Sequence, residues 1–216
     1  MSGKLAERKG KLGLLGGAKI AVVIPAKNEE CHIGTVLACL PSWVDEVIVV
    51  DDGSTDGTAA WLREQYPQVH VIEQSNHGVS AARNHGIRVS SGQWLAFLDS
   101  DDAWLPKKLE LQLKALDADP QMRLCHTEEI WIRNGRRVNQ MKKHQKSGGW
   151  IFERCLELCC ISPSSALLKR EVFEELGDFD ESLPACEDYD LWLRICAREP
   201  VLYLETPLIN KYGGHE

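Results

Sequence analysis

The sequence lacks several features that define other classes of protein. No apolar run approaches the roughly 20 residues that a membrane-spanning helix needs, so none is predicted. No GxGxxG turn follows the first predicted strand, which argues against a dinucleotide-binding domain. A P-loop is absent too. Basic residues are in deficit, with 25 Lys and Arg against 32 Asp and Glu and a formal net charge of −7. A nucleic-acid binder needs a basic surface, so nucleic acid is not an expected partner.

The eight cysteines have no paired CxxC spacing, and no secretory signal is evident before them. Several fall on the apolar faces of predicted helices, where a free thiol packs as a small core residue. We therefore expect reduced, buried cysteines rather than disulfides or a structural zinc site.

Length and composition suit one domain. A chain of 216 residues with 44% hydrophobic and 26% charged residues is typical of a soluble globular protein with a single core. Residues 1–18 are mildly basic and are expected to form a flexible tail. Residues 19–212 are expected to form a single domain with two halves, 19–118 and 119–212.

The first half alternates predicted strands and helices. Short apolar, mostly β-branched runs predict strands at 19–24, 46–50, 69–72 and 94–98. Helices are predicted between them and after the last one, at 29–40, 56–65, 78–89 and 106–116. This alternation predicts an α/β fold, a Rossmann-like, mostly parallel sheet with helices on both faces.

The second half is less regular. A glycine turn at 134–135 separates a predicted strand from an exposed basic stretch. The predicted strands lie at 124–132, 165–168 and 201–204, and the predicted helices at 150–160, 170–176 and 187–198.

Three groups of carboxylates lie at predicted strand ends or at the start of a helix, where open parallel sheets bind ligands. A single Asp at such a place is explained as a helix cap, but converging carboxylates repel one another, so stability alone would not assemble three groups. Mn²⁺ or Mg²⁺ would relieve the repulsion and bridge the carboxylates to substrate phosphates. The groups are Asp51 and Asp52; Asp99, Asp101 and Asp102; and Glu187 and Asp188.

Several other residues leave two interpretations open. Arg83 is either a phosphate contact or a solvated helix residue. Trp104, directly after the Asp cluster, is a candidate for stacking on a sugar, whereas Trp43, Trp61, Trp94 and Trp192 fit core packing. His215 either approaches a metal or belongs to a flexible end. The basic stretch is either a solvated loop, or a lid or a contact with an anionic acceptor or membrane headgroups. It contains Arg133, Arg136, Arg137, Lys142, Lys143 and Lys146.

Five segments, in this order, resemble the family 2 glycosyltransferases of GT-A fold. The resemblance runs from residue 20 to about residue 195 and so covers most of the chain. It implies an enzyme that transfers a sugar from a nucleotide-diphosphate donor to an acceptor, with 19–118 binding the donor and 119–212 the acceptor. The segments are VIPAKNEE at 23–30, VVDDGSTDG at 49–57, FLDSDD at 97–102, GDFD at 177–180 and EDYDLWLR at 187–194.

The resemblance also implies roles on the donor side. Pro25 and Glu29 would line the nucleotide pocket. Asp52 would accept a hydrogen bond from the base, typically uracil, which favours a UDP-sugar. Arg83 would approach the diphosphate. Asp99 and Asp101 would form a DxD motif, one near the ribose and one on Mn²⁺ or Mg²⁺, with Asp102 beside them and His215 as a weaker metal candidate.

On the acceptor side, Glu187 and Asp188 match the catalytic pair of the family. Asp188 would be the general base of an inverting reaction on a saccharide or lipid-linked acceptor, in cell-surface polysaccharide or glycolipid synthesis. The expected location is cytoplasmic, with a possible peripheral membrane contact. The chain stops soon after the last predicted strand, so acceptor-binding elements are expected to be either short or missing from this sequence. A nucleotidyltransferase and a catalytically silent nucleotide-sugar binder remain alternatives.

Overall fold

The computed structural model describes residues 17–213. Most of the predicted tail, residues 1–16, and the candidate metal ligand His215 lie outside the described residues. Within 17–213 the strands form one nine-stranded sheet, with helices packed against both of its faces. The predicted α/β architecture is confirmed.

The first half forms the parallel part of the sheet, in the order β3-β2-β1-β4. Because β1 lies between β2 and β4, the strand order reverses there, and a crevice opens beyond the carboxyl ends of β1 and β4. The elements are β1 (Ile20–Ala26), α1 (Ile33–Ala38), β2 (Glu46–Asp52), α2 (Thr58–Gln65), β3 (His70–Gln74), α3 (Val79–Val89), β4 (Trp94–Phe97) and, after a short strand described below, α4 (Lys108–Ala118).

The second half extends the sheet from β4 in the order β8-β6-β9-β5, with β7 paired to β6 alone. Strand β8 is antiparallel to β4, so the sheet changes from parallel to mixed at this point. The elements are β5 (Ala103–Trp104), β6 (Leu124–Arg133), β7 (Arg136–Val138), α5 (Phe152–Glu157), β8 (Leu167–Lys169), α6 (Arg170–Leu176), α7 (Glu187–Cys196) and β9 (Leu202–Gly213), with 3-10 turns at Lys142–His144 and Pro163–Ser165.

Two apolar clusters lie on the two faces of the sheet. On one face, Phe97 packs against Phe179 at a ring distance of 5.4 Å, together with residues of α3, α6 and α7. On the other face, residues of α1, α2 and α4 pack against β1 and β4. Burial on both faces is why the central strands have continuous apolar sequences rather than an alternating pattern.

Strand β9 differs most from the prediction. A strand of four residues was predicted at 201–204, but β9 has 12 residues and ends at Gly213. It runs parallel to β6 with register shifts between Thr127 and Glu129. Polar residues and Pro207 interrupt its apolar pattern, and proline gives no backbone donor, so the sequence contains no strand signal beyond residue 204.

The predictions for cysteines and for Trp104 need correction. Trp104 is 3% exposed and its indole N–H donates to the Ser164 carbonyl at 2.9 Å, so the sugar-stacking interpretation is wrong. Three exposed cysteines contradict the expectation of burial, because they lie in loops at the ends of helices. All eight are free in the structure: Cys125, Cys155, Cys160 and Cys196 are buried, Cys39 is partly buried, and Cys31, Cys159 and Cys186 are exposed.

Candidate active site

A cavity of about 370 Å³ opens at the carboxyl ends of β1, β2 and β4. This is the crevice that the strand order creates. The structure brings six sequence-predicted residues to its wall, from four separate segments of the first half: Pro25, Glu29, Asp52, Arg83, Asp99 and Asp101.

Asp52, at the end of β2, fixes one side of this cavity. Its Oδ1 accepts hydrogen bonds from Gln74 Nε2 at 2.8 Å and from the backbone N–H of His77 at 2.9 Å, and its Oδ2 accepts from the N–H of Gly78 at 2.9 Å. A carboxylate offers about four lone-pair positions. Asp52 therefore holds the loop before α3 and keeps one acceptor position for a ligand.

The contact between the loop after β2 and the loop before α3 requires glycine at position 53. Gly53 has a φ of +75°, and a Cβ there would lie 2.8 Å from the backbone nitrogen of Asn76. The loop after β2 and the loop before α3 are therefore in direct contact. A side chain at 53 would separate them.

Arg83, on α3, joins the two halves of the site. Its Nη2 donates to Asp99 Oδ1 at 2.7 Å and its Nη1 donates to Glu187 Oε1 at 2.6 Å. The residue is only 4% exposed, and its guanidinium lies 5.2 Å from the centre of the Phe179 ring. Both terminal nitrogens thus bind carboxylates of the protein, while the side chain still forms part of the cavity wall.

The three aspartates after β4 have different surroundings. Asp99 binds Arg83, and Asp101 is exposed at the cavity wall. Asp102 is buried and accepts from the Tyr212 N–H at 3.1 Å, while its Oδ2 has no partner among the described residues. Burial and the neighbouring Asp99 raise the pKa of Asp102 to about 8. Asp102 does not line the cavity and instead connects this loop to β9.

Glu29 belongs to the opposite wall, in the turn after β1. It accepts from Ser100 Oγ at 2.9 Å, which links the loops after β1 and β4. Burial raises the pKa of Glu29, although the bond from Ser100 opposes the shift. The contact therefore joins two segments of the cavity wall.

Glu187 and Asp188, at the start of α7, belong to the second half of the chain. Glu187 lines a second cavity of about 310 Å³, which shares Gly78 and Val79 with the first. Asp188 Oδ1 accepts from the Tyr189 N–H at 2.8 Å, and Oδ2 lies 3.8 Å from Cys159 Sγ. Burial and the adjacent Glu187 raise the pKa of Asp188 against the opposing effect of Arg83. A carboxylate with a raised pKa is a stronger base.

The basic stretch is only partly a solvated loop. Lys146 is buried and forms an ion pair with Glu129 at 3.0 Å, so the interpretation of this residue as solvated is wrong. Ser162 Oγ and the Trp131 indole N–H also donate to Glu129. Sequence patterns could not reveal this network, because Glu129 lies in β6, which was predicted only as a strand, and Ser162 lies in a loop 16 residues after Lys146.

The donor set fits a metal that is held jointly with a ligand. Among residues 17–213 no three His, Cys, Asp or Glu side chains are placed to hold a metal ion by themselves. Mg²⁺ and Mn²⁺, however, commonly bind one or two carboxylates together with substrate phosphates. The oxygen ligands Asp101 and Asp99 at the cavity wall suit that arrangement, and Asp102, which faces β9, does not belong to the wall.

The fold and the family follow from comparisons with known proteins. The structure resembles S. aureus TarS 1–349 with a TM-score of 0.74 and 21% sequence identity, covering 90% of this chain and 60% of that one. The fold is therefore the GT-A fold. The model of glycosyl transferase family 2 matches residues 21–177. The chain belongs to this family, as the ordered motifs predicted.

Named relatives agree with this assignment. An uncharacterized glycosyltransferase of Rickettsia bellii is 31% identical over 194 residues, which is 86% of this chain and 27% of the relative. One of Haemophilus influenzae is 27% identical, over 91% of this chain and 66% of the relative. Chondroitin synthase of Escherichia coli is 27% identical, over 89% of this chain and 28% of that enzyme. The chain thus spans less than two thirds of these relatives.

The Arg83 bridge generates a prediction about stability. Arg83→Met leaves the partly buried Asp99 and Glu187 without their common partner, and removing one member of a buried ion pair costs about 3–5 kcal/mol. Arg88→Met, on the same helix, is the matched control, because Arg88 is exposed and lies 3.7 Å from Glu181. Its expected cost is below about 1 kcal/mol. Denaturant unfolding measures both; equal stabilities would contradict the bridging role.

Proposed function

We propose that this domain transfers a sugar from a UDP-sugar to the hydroxyl of a saccharide or lipid-linked acceptor, with inversion at the anomeric carbon. The observation that carries the proposal is the Arg83 bridge. The Arg83 guanidinium pairs with Asp99, an acid of the donor cavity, and with Glu187, an acid of the second cavity, so both acids contact the same side chain. The two cavities meet at the start of α3, where a donor and an acceptor can react directly.

The first cavity has the groups that a uridine diphosphate needs. The remaining acceptor position of Asp52 suits the imide N–H of uracil, whereas cytosine would present an acceptor there. TarS, which has the same fold, has been solved in complex with UDP and with UDP-GlcNAc. The turn after β1 contains Glu29 and Glu30 rather than the basic, glycine-rich loop of a nucleotidyltransferase, which supports sugar transfer over that alternative.

The chemistry requires a base on the acceptor side. Asp188 removes the proton of the acceptor hydroxyl, the acceptor oxygen forms a bond to the anomeric carbon, and the bond from that carbon to the diphosphate breaks with its electron pair leaving on UDP. Asp101 and Asp99 are the residues that would hold Mn²⁺ or Mg²⁺, which would neutralise charge on the diphosphate. Glu187, tied to Arg83, orients the start of α7.

Metal-dependent donor binding is the first test of this function. Asp101 and Asp99 repel a diphosphate unless a cation lies between them, so UDP should bind more tightly with Mn²⁺ or Mg²⁺ than with chelator. Asp101→Asn should reduce that difference without lowering affinity for uridine. Calorimetry measures both ligands. Equal affinity for UDP with metal and with chelator would rule out the metal-bridged site.

Asp188→Asn tests the general base. Loss of a general base lowers the rate roughly 10²–10⁴-fold, while UDP affinity should be unchanged. Because the pKa of Asp188 is raised in the fold, ionisation costs stability as pH rises, and the amide removes this cost. The variant should therefore be at least as stable as the parent at neutral pH. Near-parent transfer rates, or retention of the donor's anomeric configuration, would contradict the mechanism.

We further place the domain at the cytoplasmic face of a membrane, in cell-surface polysaccharide or glycolipid synthesis. No helix within residues 17–213 is long and apolar enough to span a bilayer. Residues 130–152 contain six Lys and Arg and no acid, in a chain of net charge −7. Lys146 is buried against Glu129, which leaves five basic residues that are not buried. Nearby are three strongly exposed apolar side chains: Trp150 is 71%, Met141 59% and Leu156 57% exposed. Arg154 ties α5 to the 3-10 turn by binding the carbonyls of Lys143 and Gln145.

Vesicle binding tests this contact. Each Lys near an anionic surface contributes about 1 kcal/mol, so Lys142→Glu with Lys143→Glu should lower partitioning onto anionic vesicles by at least about 30-fold. Lys114→Glu with Arg198→Glu makes the same charge change at exposed positions elsewhere and should have little effect. Equal loss in both double variants would indicate nonspecific attraction, and binding to a soluble polyanion instead of vesicles would indicate an anionic acceptor.

A further inference from the structure

Lys211, in β9, lies beside the carboxylate loop because of strand register. Strand β5 pairs antiparallel with β9, with Ala103 opposite Asn210 and Trp104 opposite Ile209. One step further along this ladder, Asp102 is opposite Lys211, and the Tyr212 N–H donates to Asp102 Oδ1 at 3.1 Å. The backbone thus fixes Lys211 beside the loop after β4, whose Asp99 and Asp101 belong to the cavity wall.

Acids from three separate segments of the chain act electrostatically on the Lys211 ammonium. Burial lowers the pKa of Lys211, but Glu129 of β6, Asp102 and Asp99 of the loop after β4, and Asp188 of α7 together raise it above its usual value. No salt bridge within 4.0 Å joins Lys211 to any of the described residues. Lys211 is therefore a protonated, largely buried amine that is not committed to one carboxylate.

The other cations near the site differ from Lys211. Arg83 is held by Asp99 and Glu187, and Lys146 is held by Glu129. Lys108 is fully buried over the Trp104 ring and donates to Gln112. Lys27 lines the cavity but is exposed, at the end near the loop after β2.

An anionic ligand in this site needs a cation that the protein does not already use. Lys211 meets this condition, because it interacts electrostatically with Asp99 of the cavity wall and with Asp188 of α7, and no close ion pair joins it to either. A Lys ammonium is a compact point charge with three donors, which suits phosphate oxygens of varied geometry.

We propose that Lys211 binds a phosphate oxygen of the donor and stabilises the diphosphate as it leaves. This inference rests on the proposed function. When the bond from the anomeric carbon to the diphosphate breaks, its electron pair stays on the phosphate oxygen, and the fixed positive charge of Lys211 offsets the added negative charge. Lys211 keeps its proton throughout, since the acceptor proton goes to Asp188. In this scheme Arg83 holds the acids in place and Lys211 makes the phosphate contact.

The test compares UDP with uridine, which has the same base and ribose but no phosphate. Calorimetry is run on the full chain and on Lys211→Met, Lys211→Arg, Lys27→Met and Lys114→Met, each with Mn²⁺ and with chelator. A hydrogen bond to a charged group corresponds to roughly a tenfold to hundredfold change in affinity. Lys211→Met should weaken UDP by that factor and leave uridine unchanged, Lys211→Arg should restore part of the loss, and Lys114→Met, an exposed control, should match the parent.

Three outcomes would overturn the assignment. Equal weakening of UDP and uridine by Lys211→Met would show a structural role. An unchanged preference for UDP over uridine would show that Lys211 does not contact phosphate. Loss of that preference in Lys27→Met alone would assign the contact to Lys27. Failure of the parent chain itself to bind UDP would instead refute the proposed function, and the inference with it.

Discussion

The site depends on one buried guanidinium. Arg83 uses two nitrogens of its planar fork to bind Asp99 and Glu187, which are 16 and 104 residues away in the sequence. Taking an arginine out of water is costly, and only close carboxylates offset that cost. The pairing therefore fixes α3, the end of β4 and the start of α7 relative to one another. Phe179, which packs beneath the guanidinium, belongs to the same junction through Asn84, whose side chain binds the Phe179 backbone at both N–H and carbonyl.

This pairing also explains how so acidic a site folds. Arg83 neutralises Asp99 and Glu187, and Lys146 neutralises Glu129. Asp52 and Asp188, two further acids of the site, have no such ion pair among the described residues and differ in their surroundings. Asp52 is satisfied by loop donors, and Asp188 stays partly buried with a raised pKa. The raised pKa means that ionising Asp188 costs more free energy in the folded protein than in the unfolded chain. That is the condition under which a carboxylate can act as a base near neutral pH.

The sequence predicted the parallel half of the fold well and the mixed half poorly, for physical reasons. Strands β1, β2 and β4 are buried on both faces, so their apolar runs identify them to within two residues. Strand β9 mixes polar and apolar residues and has register shifts in its pairing with β6, and its apolar pattern stops before Lys211. Likewise, nothing near Arg83 in the sequence indicates its partners. The sequence shows which residue types follow each strand, but it does not show which residues pair with one another in the folded protein.

In the proposed function, Asp52 would combine a role in folding with recognition of the base. Its carboxylate holds the loop before α3 with three hydrogen bonds, so its orientation is set before any ligand arrives. Because three of about four acceptor positions are used, what remains is a single, fixed acceptor. A fixed acceptor discriminates between a base that presents an N–H and one that presents a lone pair, since the wrong base leaves two acceptors facing each other at a cost of about 1–3 kcal/mol. Selectivity for the base would thus arise from the hydrogen bonds that also fold the loop.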